Sequence, residues 1–148
     1  MSEHDPANRR PVPARLILLN QARLQHPGTK IRVLGCVHAY HAESATLVLK
    51  VDYAGTRSKT PTLLATIDNV LEHVNNDLLQ IGSWLNIVGY VQQPVKVASS
   101  ASSQRPRRST QRVTPLVDVL MIWSAGAIKL DDYQSAVRSY QETLPVGK

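Results

Sequence analysis

Lys30-Ile31-Arg32-Val33-Leu34-Gly35-Cys36-Val37-His38-Ala39-Tyr40 is a long β-forming run with a single glycine at its middle. A glycine inside a strand marks a bulge or a sharp bend. Small barrels need such a bend in a long strand to close. Four more strand segments lie downstream. From about Ala45 to Tyr53, Leu47, Leu49 and Val51 alternate with Thr46, Val48, Lys50 and Asp52, the period-two pattern of a half-buried strand. Ala54-Gly55-Thr56 begins a polar turn, and a short third strand is expected at about Thr62 to Ile67. The fourth, Trp84 to Gln92, carries Gly89 inside it, and the fifth runs from Leu116 to Trp123, ended by Ser124-Ala125-Gly126. Upstream, His26-Pro27-Gly28 reads as a turn. The apolar run Leu16 to Leu19 is expected to cover one end of the core.

Two helices complete the pattern. Val70, Leu71, Val74 and Leu78 lie at helical spacing after Asp68, whose carboxylate is a candidate N-cap. Asn75-Asn76-Asp77 breaks that helix. A final helix is expected from about Asp131 to Thr143, with Asp131 as N-cap, Gln134 as its capping-box partner and Pro145 beyond its end. The order is three strands, a helix, two strands and a trailing helix. This is the layout of an all-β, five-stranded OB-fold Greek-key barrel, with a helix between strands three and four. A five-stranded sandwich is the structural alternative, and the placement of the inner helix favours the barrel. Residues 1–13 are polar and Pro-rich and are expected to be a disordered tail, with the OB domain over 14–148. Gln93-Pro94 opens a break, at about 94–114, whose Ala/Ser run and basic end read as a flexible loop.

Composition narrows the function classes. The 148 residues, 43% of them hydrophobic, suffice for one core. No apolar stretch is long enough to span a bilayer, so no membrane role is expected. The polar first residues, with Glu3 and Asp5, lack the apolar core of a signal peptide. Cys36 is the one cysteine, which rules out a disulfide framework and reads as a small buried hydrophobe. The net charge is +6 and the sequence pI about 9.8, a balance that suits an acidic partner such as nucleic acid. Arg105, Arg107, Arg108 and Arg112 supply most of that excess from one short segment free of acidic residues. The remainder is close to neutral.

On the last helix, Leu130, Tyr133, Val137, Tyr140 and Leu144 are spaced three, four, three and four apart, a narrow apolar stripe. The stripe either docks on the chain's own barrel or forms a partner interface. Tyrosine enrichment at interface hot spots favours the second reading. The four arginines lie between strands four and five, where OB-folds place a ligand-binding loop, and guanidinium groups pair with phosphates. A solvated, non-functional insert is the plainer reading of the same residues. Single-strand binders stack bases on aromatic platforms. Here there is no Phe, and only Tyr40 and Tyr53 sit near the expected ligand face. Trp84, Tyr90 and Trp123 read as packing residues. DNA contact is therefore expected to be secondary to protein binding. His38 and His41 are weak metal candidates, because only Glu43 lies near enough in sequence to join them. No phosphate-cradling loop, Gly-x-Ser-x-Gly or His-Glu-x-x-His motif is present. The expectation is a protein that is not an enzyme and needs no cofactor.

Three segments, in order, resemble the Ten subunit family of the CST complex in its fungal form. They are Lys30 to Val37, then Gly82-Ser83-Trp84-Leu85-Asn86-Ile87-Val88-Gly89-Tyr90-Val91, then Ile122-Trp123-Ser124-Ala125-Gly126 followed by Leu130 and Tyr133. The similarity extends from about Leu16 to Leu144. It implies an OB-fold subunit that pairs with the Stn subunit through C-terminal helices. It also implies assembly with a large subunit on the telomeric single-stranded overhang, in the nucleus, where the complex protects chromosome ends and regulates telomere replication. The Tyr133, Val137 and Tyr140 face then becomes the leading partner-binding candidate. The insert from Ala98 to Arg112 departs from the compact family pattern, so a DNA role for it rests on charge alone. A self-sufficient single-stranded-DNA binder and the smallest RPA subunit are the alternatives.

Overall fold

The computed structural model describes residues 12–51, 61–97 and 112–144. Its strands are β1 (Arg15–Leu16), β2 (Lys30–His41), β3 (Thr46–Lys50), β4 (Thr62–Thr66), β5 (Trp84–Val97) and β6 (Arg112–Ser124). They hydrogen-bond in the order β1-β2-β3-β4-β6-β5, and β5 returns to pair with β2. Strands β2 to β6 thus form a closed five-stranded barrel, the OB-fold. The two-residue β1 is an addition, parallel to β2 with Leu16 opposite Arg32.

Inward positions alternate along every barrel strand. Ile31, Val33 and Val37 of β2, Leu47 and Leu49 of β3, Leu63 and Ala65 of β4, Leu85, Ile87 and Val91 of β5, and Val117 and Val119 of β6 form one buried interior. Two glycines take inward positions. A Cβ on Gly35 would meet Leu19 Cδ1 and Leu49 Cβ, each at 2.9 Å. A Cβ on Gly89 would run into the Asp118 backbone carbonyl, with Val117 Cγ1 at 2.8 Å. Each glycine lies opposite a large apolar residue, Gly35 across from Leu85 and Gly89 across from Ile31. Small-against-large pairing is how a narrow barrel fills its interior.

The run after β1 behaves as expected. Ile17, Leu18 and Leu19 are buried, and a 3-10 helix, Leu19–Leu24, sets Leu19 and Ala22 against the core. The segment after β4 is different. It is a six-residue 3-10 helix, Asp68–His73, whose N-cap is Ile67, with no side-chain cap bond. Val70 is buried, but Leu71 is 43% exposed. Asn and β-branched residues propagate an α-helix poorly, and a single short segment cannot repay nucleation. Tertiary packing of Val70, Val74 and Leu78 is satisfied by the tighter turn.

The break expected at about 94–114 is also shorter at both ends. β5 continues to Val97 and β6 starts at Arg112, with Val95 opposite Thr114 and Lys96 opposite Val113. The ladder is irregular between Gln92 and Val95. Pro94 and Pro115 both fall at that irregularity. Proline lacks a ladder N–H but is tolerated at a bulge, so the Gln93-Pro94 signal marks a bulge and not a strand end. The final helix, α1, spans Leu130–Glu142 with Lys129 at the N-cap and no side-chain cap bond. Asp131 is therefore inside the first turn, where its charge suits the helix dipole.

Gly89→Ala is expected to destabilise the fold by about 1–3 kcal/mol, because the clash is with backbone. Urea unfolding followed by far-UV circular dichroism measures it. An unchanged midpoint would mean that β6 can move away from β5 at no cost.

Candidate functional site

α1 splits the predicted stripe in two. Val137 is only 2% exposed and belongs to the interior cluster, with Leu130 and Tyr133 packed against it. Tyr140 and Leu144 are 48% and 40% exposed. The plain reading, that the stripe docks on its own barrel, holds for the first three residues. The last two stand free of it. The split follows position along the helix axis: at 3.6 residues per turn Tyr140 keeps nearly the direction of Tyr133, but it stands in the last turn, and Leu144 lies past the end of the helix. Gln141 is half-buried and bonds to the barrel side: its Nε2 donates to the Leu16 carbonyl at 3.1 Å and to Gln21 Oε1 at 2.8 Å.

Beside the helix lies an outward-facing patch of the barrel. The register sets Leu34, Asn86 and Trp123 in one row across β2, β5 and β6, and Arg32, Val88 and Met121 in the next. Leu34 and Val88 are buried although they point away from the interior cluster. Arg32 is exposed, and its guanidinium carbon lies 5.3 Å from the centroid of the Trp123 ring, within cation–π range. Met121 is 56% exposed. Burial pushes the Tyr133 phenol above its ordinary range, and the Arg32 charge pulls it part of the way back. That coupling sets the first turns of α1 beside this patch. The Tyr133 hydroxyl and Asn86 Oδ1 are both buried, and neither has a hydrogen-bond partner among the described residues. A buried polar group without a partner is costly.

Most of the nucleic-acid candidates fall beyond the described residues. Arg105, Arg107, Arg108 and Tyr53 lie outside the described residues. Arg112 is the first residue of β6, with its backbone opposite Val97. Tyr40 is half-buried and packs against the core, so its ring is not a free stacking platform. His38 and His41 are exposed. Among the described residues, no three His, Cys, Asp or Glu side chains converge as metal ligands would. Burial raises the Cys36 thiol pKa, the reverse of what an activated thiolate needs.

Sequence reasoning missed Arg32, Met121 and Gln141. The outward phase of Arg32 on an alternating strand is a signal that could have placed it beside Leu34. Nothing in the sequence marks Gln141.

The Ten1 family model (telomere capping, CST complex subunit) matches residues 6–138. A curated relative, protein ten1 of Schizosaccharomyces pombe, is 30% identical over 129 residues, which is 87% of this chain and 95% of that protein. The crystal structure of the S. pombe telomere capping protein Ten1 superposes with a TM-score of 0.59 at 30% identity, covering 88% of this chain and 99% of the other. A chain of the S. pombe Stn1–ten1 complex superposes with a TM-score of 0.57 at 29% identity, covering 90% and 96%.

A raised phenol pKa has a stability consequence. The folded state holds Tyr133 protonated, while the unfolded chain ionises near its ordinary value of 10.0. Above that pH the unfolded state binds fewer protons, so stability falls as pH rises past about 10. Tyr133→Phe should lose that component of the alkaline decline. Thermal melts of both proteins between about pH 8 and pH 11 check it, and parallel curves would refute it.

Proposed function

The chain belongs to the Ten1 family of telomere-capping CST complex subunits, and from that premise we propose that it pairs one-to-one with a Stn-type OB-fold subunit through the free end of α1 and the barrel patch beside it. The observation that carries this reading is the split stripe. Tyr140, in the last turn of α1, and Leu144, just past its end, are large side chains left in water while Val137 of the same helix is buried. Interface hot spots are built from such residues, tyrosine above all. Leu130, Tyr133 and Val137 then act mainly by fixing the helix on the barrel. The exposed Arg32 adds a polar anchoring point that an acceptor from the partner would satisfy. The S. pombe complex of Stn1 with ten1 supports the choice of partner.

The role is structural and non-enzymatic. The dimer joins the large CST subunit at the telomeric single-stranded overhang in the nucleus, shields the chromosome end and takes part in regulating telomere replication. DNA contact by this chain is secondary. Tyr140 is an exposed tyrosine at the end of α1, and the basic residues Arg105, Arg107, Arg108 and Arg112 offer only sequence-blind phosphate contacts.

Tyr140→Ala combined with Leu144→Ala should weaken binding to the purified Stn-type subunit by roughly 30-fold or more. The unfolding free energy of the isolated chain should move by less than about 0.5 kcal/mol. Isothermal calorimetry and urea melts give the two numbers, and undiminished affinity would sink this interface. A second outcome concerns DNA. In fluorescence anisotropy, the isolated chain should bind a telomeric single-stranded oligonucleotide no more tightly than about 1 μM at physiological salt, with affinity falling steeply as salt rises. Tight, salt-tolerant binding would favour a self-sufficient single-strand binder instead.

A further inference from the structure

The free end of α1 is held by amides as well as by apolar packing. Gln141 Nε2 donates to Gln21 Oε1 at 2.8 Å and to the Leu16 carbonyl at 3.1 Å. Gln21 Nε2 donates back to Gln141 Oε1 at 3.3 Å. Gln21 Oε1 also accepts from the Leu18 backbone N–H at 2.9 Å, which ties the same side chain into the start of the first 3-10 helix. The pair therefore joins the last turn of the chain's final helix to an element 120 residues away. The other bonds of that turn are local, such as the Thr143 hydroxyl donating to the Tyr140 carbonyl at 2.7 Å, and do not tie it to the barrel. α1 has no side-chain cap at its N-terminus and no basic residue in its last turn, and Val137 is its single buried residue. A helix of 13 residues is marginal in water without tertiary support.

We propose that Gln21 and Gln141 form a clasp that presets the angle of α1, so that Tyr140 and Leu144 are already presented when the partner arrives. The proposal rests on the partner reading above and adds positioning residues to it. Gln141 follows Tyr140 directly and lies four residues beyond Val137, so fixing its amide fixes the flank on which Tyr140 stands. The orientation of each amide is also set. Gln141 Nε2 must face both the Leu16 carbonyl and Gln21 Oε1, because an oxygen there would oppose two acceptors. Gln141→Glu, close in shape, cannot donate and sets a carboxylate against those oxygens. Gln141→Leu keeps volume and removes the bonds. Pre-ordering a binding element raises affinity by removing its ordering cost from the binding step.

Hydrogen exchange on the isolated full chain, with and without the purified Stn-type subunit, tests this. Gln141→Glu and Gln141→Leu should each speed amide exchange in the second half of α1 by about five- to thirty-fold, the loss of one or two hydrogen bonds. Exchange in β2 and β5 should not change. Affinity for the Stn-type subunit should fall by a similar factor, with Tyr140 and Leu144 intact. The contrasting variant, Tyr140→Ala, should lower affinity without speeding exchange. Unchanged exchange in both Gln141 variants would overturn the clasp. Faster exchange with unchanged affinity would overturn its presenting role. If the intact chain failed to bind the Stn-type subunit at all, the partner reading would fall and the presenting role with it. The exchange data would still show whether the clasp holds the helix.

Discussion

The pairing of β2 with β5, from Lys30 opposite Tyr90 to Cys36 opposite Trp84, closes the barrel, and each later feature depends on it. Closure brings together two strands distant in sequence, and it demands that both curve tightly while their inward side chains still fit. Gly35 and Gly89 meet that demand from opposite strands. Each leaves space that a neighbour fills: Leu19 and Leu49 reach into the space at Gly35, and the β6 backbone comes close at Gly89. The first 3-10 helix can seal the barrel end only because Leu19 has this space. The glycines are therefore sites of close approach between chain segments, and the bend follows from that.

Closure also gives β2 two working faces. Its inward residues belong to the interior, while Arg32 and Leu34 look outward, in register with Val88, Asn86, Met121 and Trp123. An outer sheet face with buried Leu34 and Val88 is a second, smaller core. A surface of this kind needs a cover, and α1 lies beside it. Met121 of this patch is exposed, and Asn86 Oδ1 and the Tyr133 hydroxyl are buried without a hydrogen-bond partner among the described residues. Exposed apolar surface loses its cost when a complementary partner covers it, which is the relief the proposed interface would bring.

Much of the fold was legible because barrel strands obey a period of two with few exceptions. Lys30 to Tyr40, the alternation of Leu47 and Leu49, and the glycine-bearing strand from Trp84 all read correctly. The failures share a cause. Pro94 reads locally as a terminator, yet a bulge opposite Pro115 lets both strands continue, and only the pairing of two distant prolines reveals it. Asp68 reads as a helix cap, but the short connection across the barrel imposes a 3-10 turn. The site was half legible. The stripe on α1 was visible, but which members reach the barrel depends on how far along the helix the contact extends, and Tyr140 and Leu144 sit in and beyond its last turn. It also depends on Gln141, whose partners lie at the other end of the chain. Arg32 was hidden by its place in an otherwise apolar run.

The distribution of residue types orders the two binding roles. A surface that grips single strands through bases needs exposed aromatic faces on the ligand side of the barrel. Tyr40, the aromatic residue closest to that side whose ring is described, is tied into the core. Among the described aromatic residues only Tyr140 is exposed, Tyr90 and Trp123 are half-buried, and Arg32 already lies over the Trp123 ring. Positive charge alone can hold phosphates, but weakly and without regard to sequence. Such a contact becomes useful when a partner supplies the reading of the strand and this chain adds to its hold. On the proposed reading, a small barrel with a subunit interface on its last helix and unspecific charge for nucleic acid is suited to work inside a complex, where linkage raises the effective concentration of each weak contact.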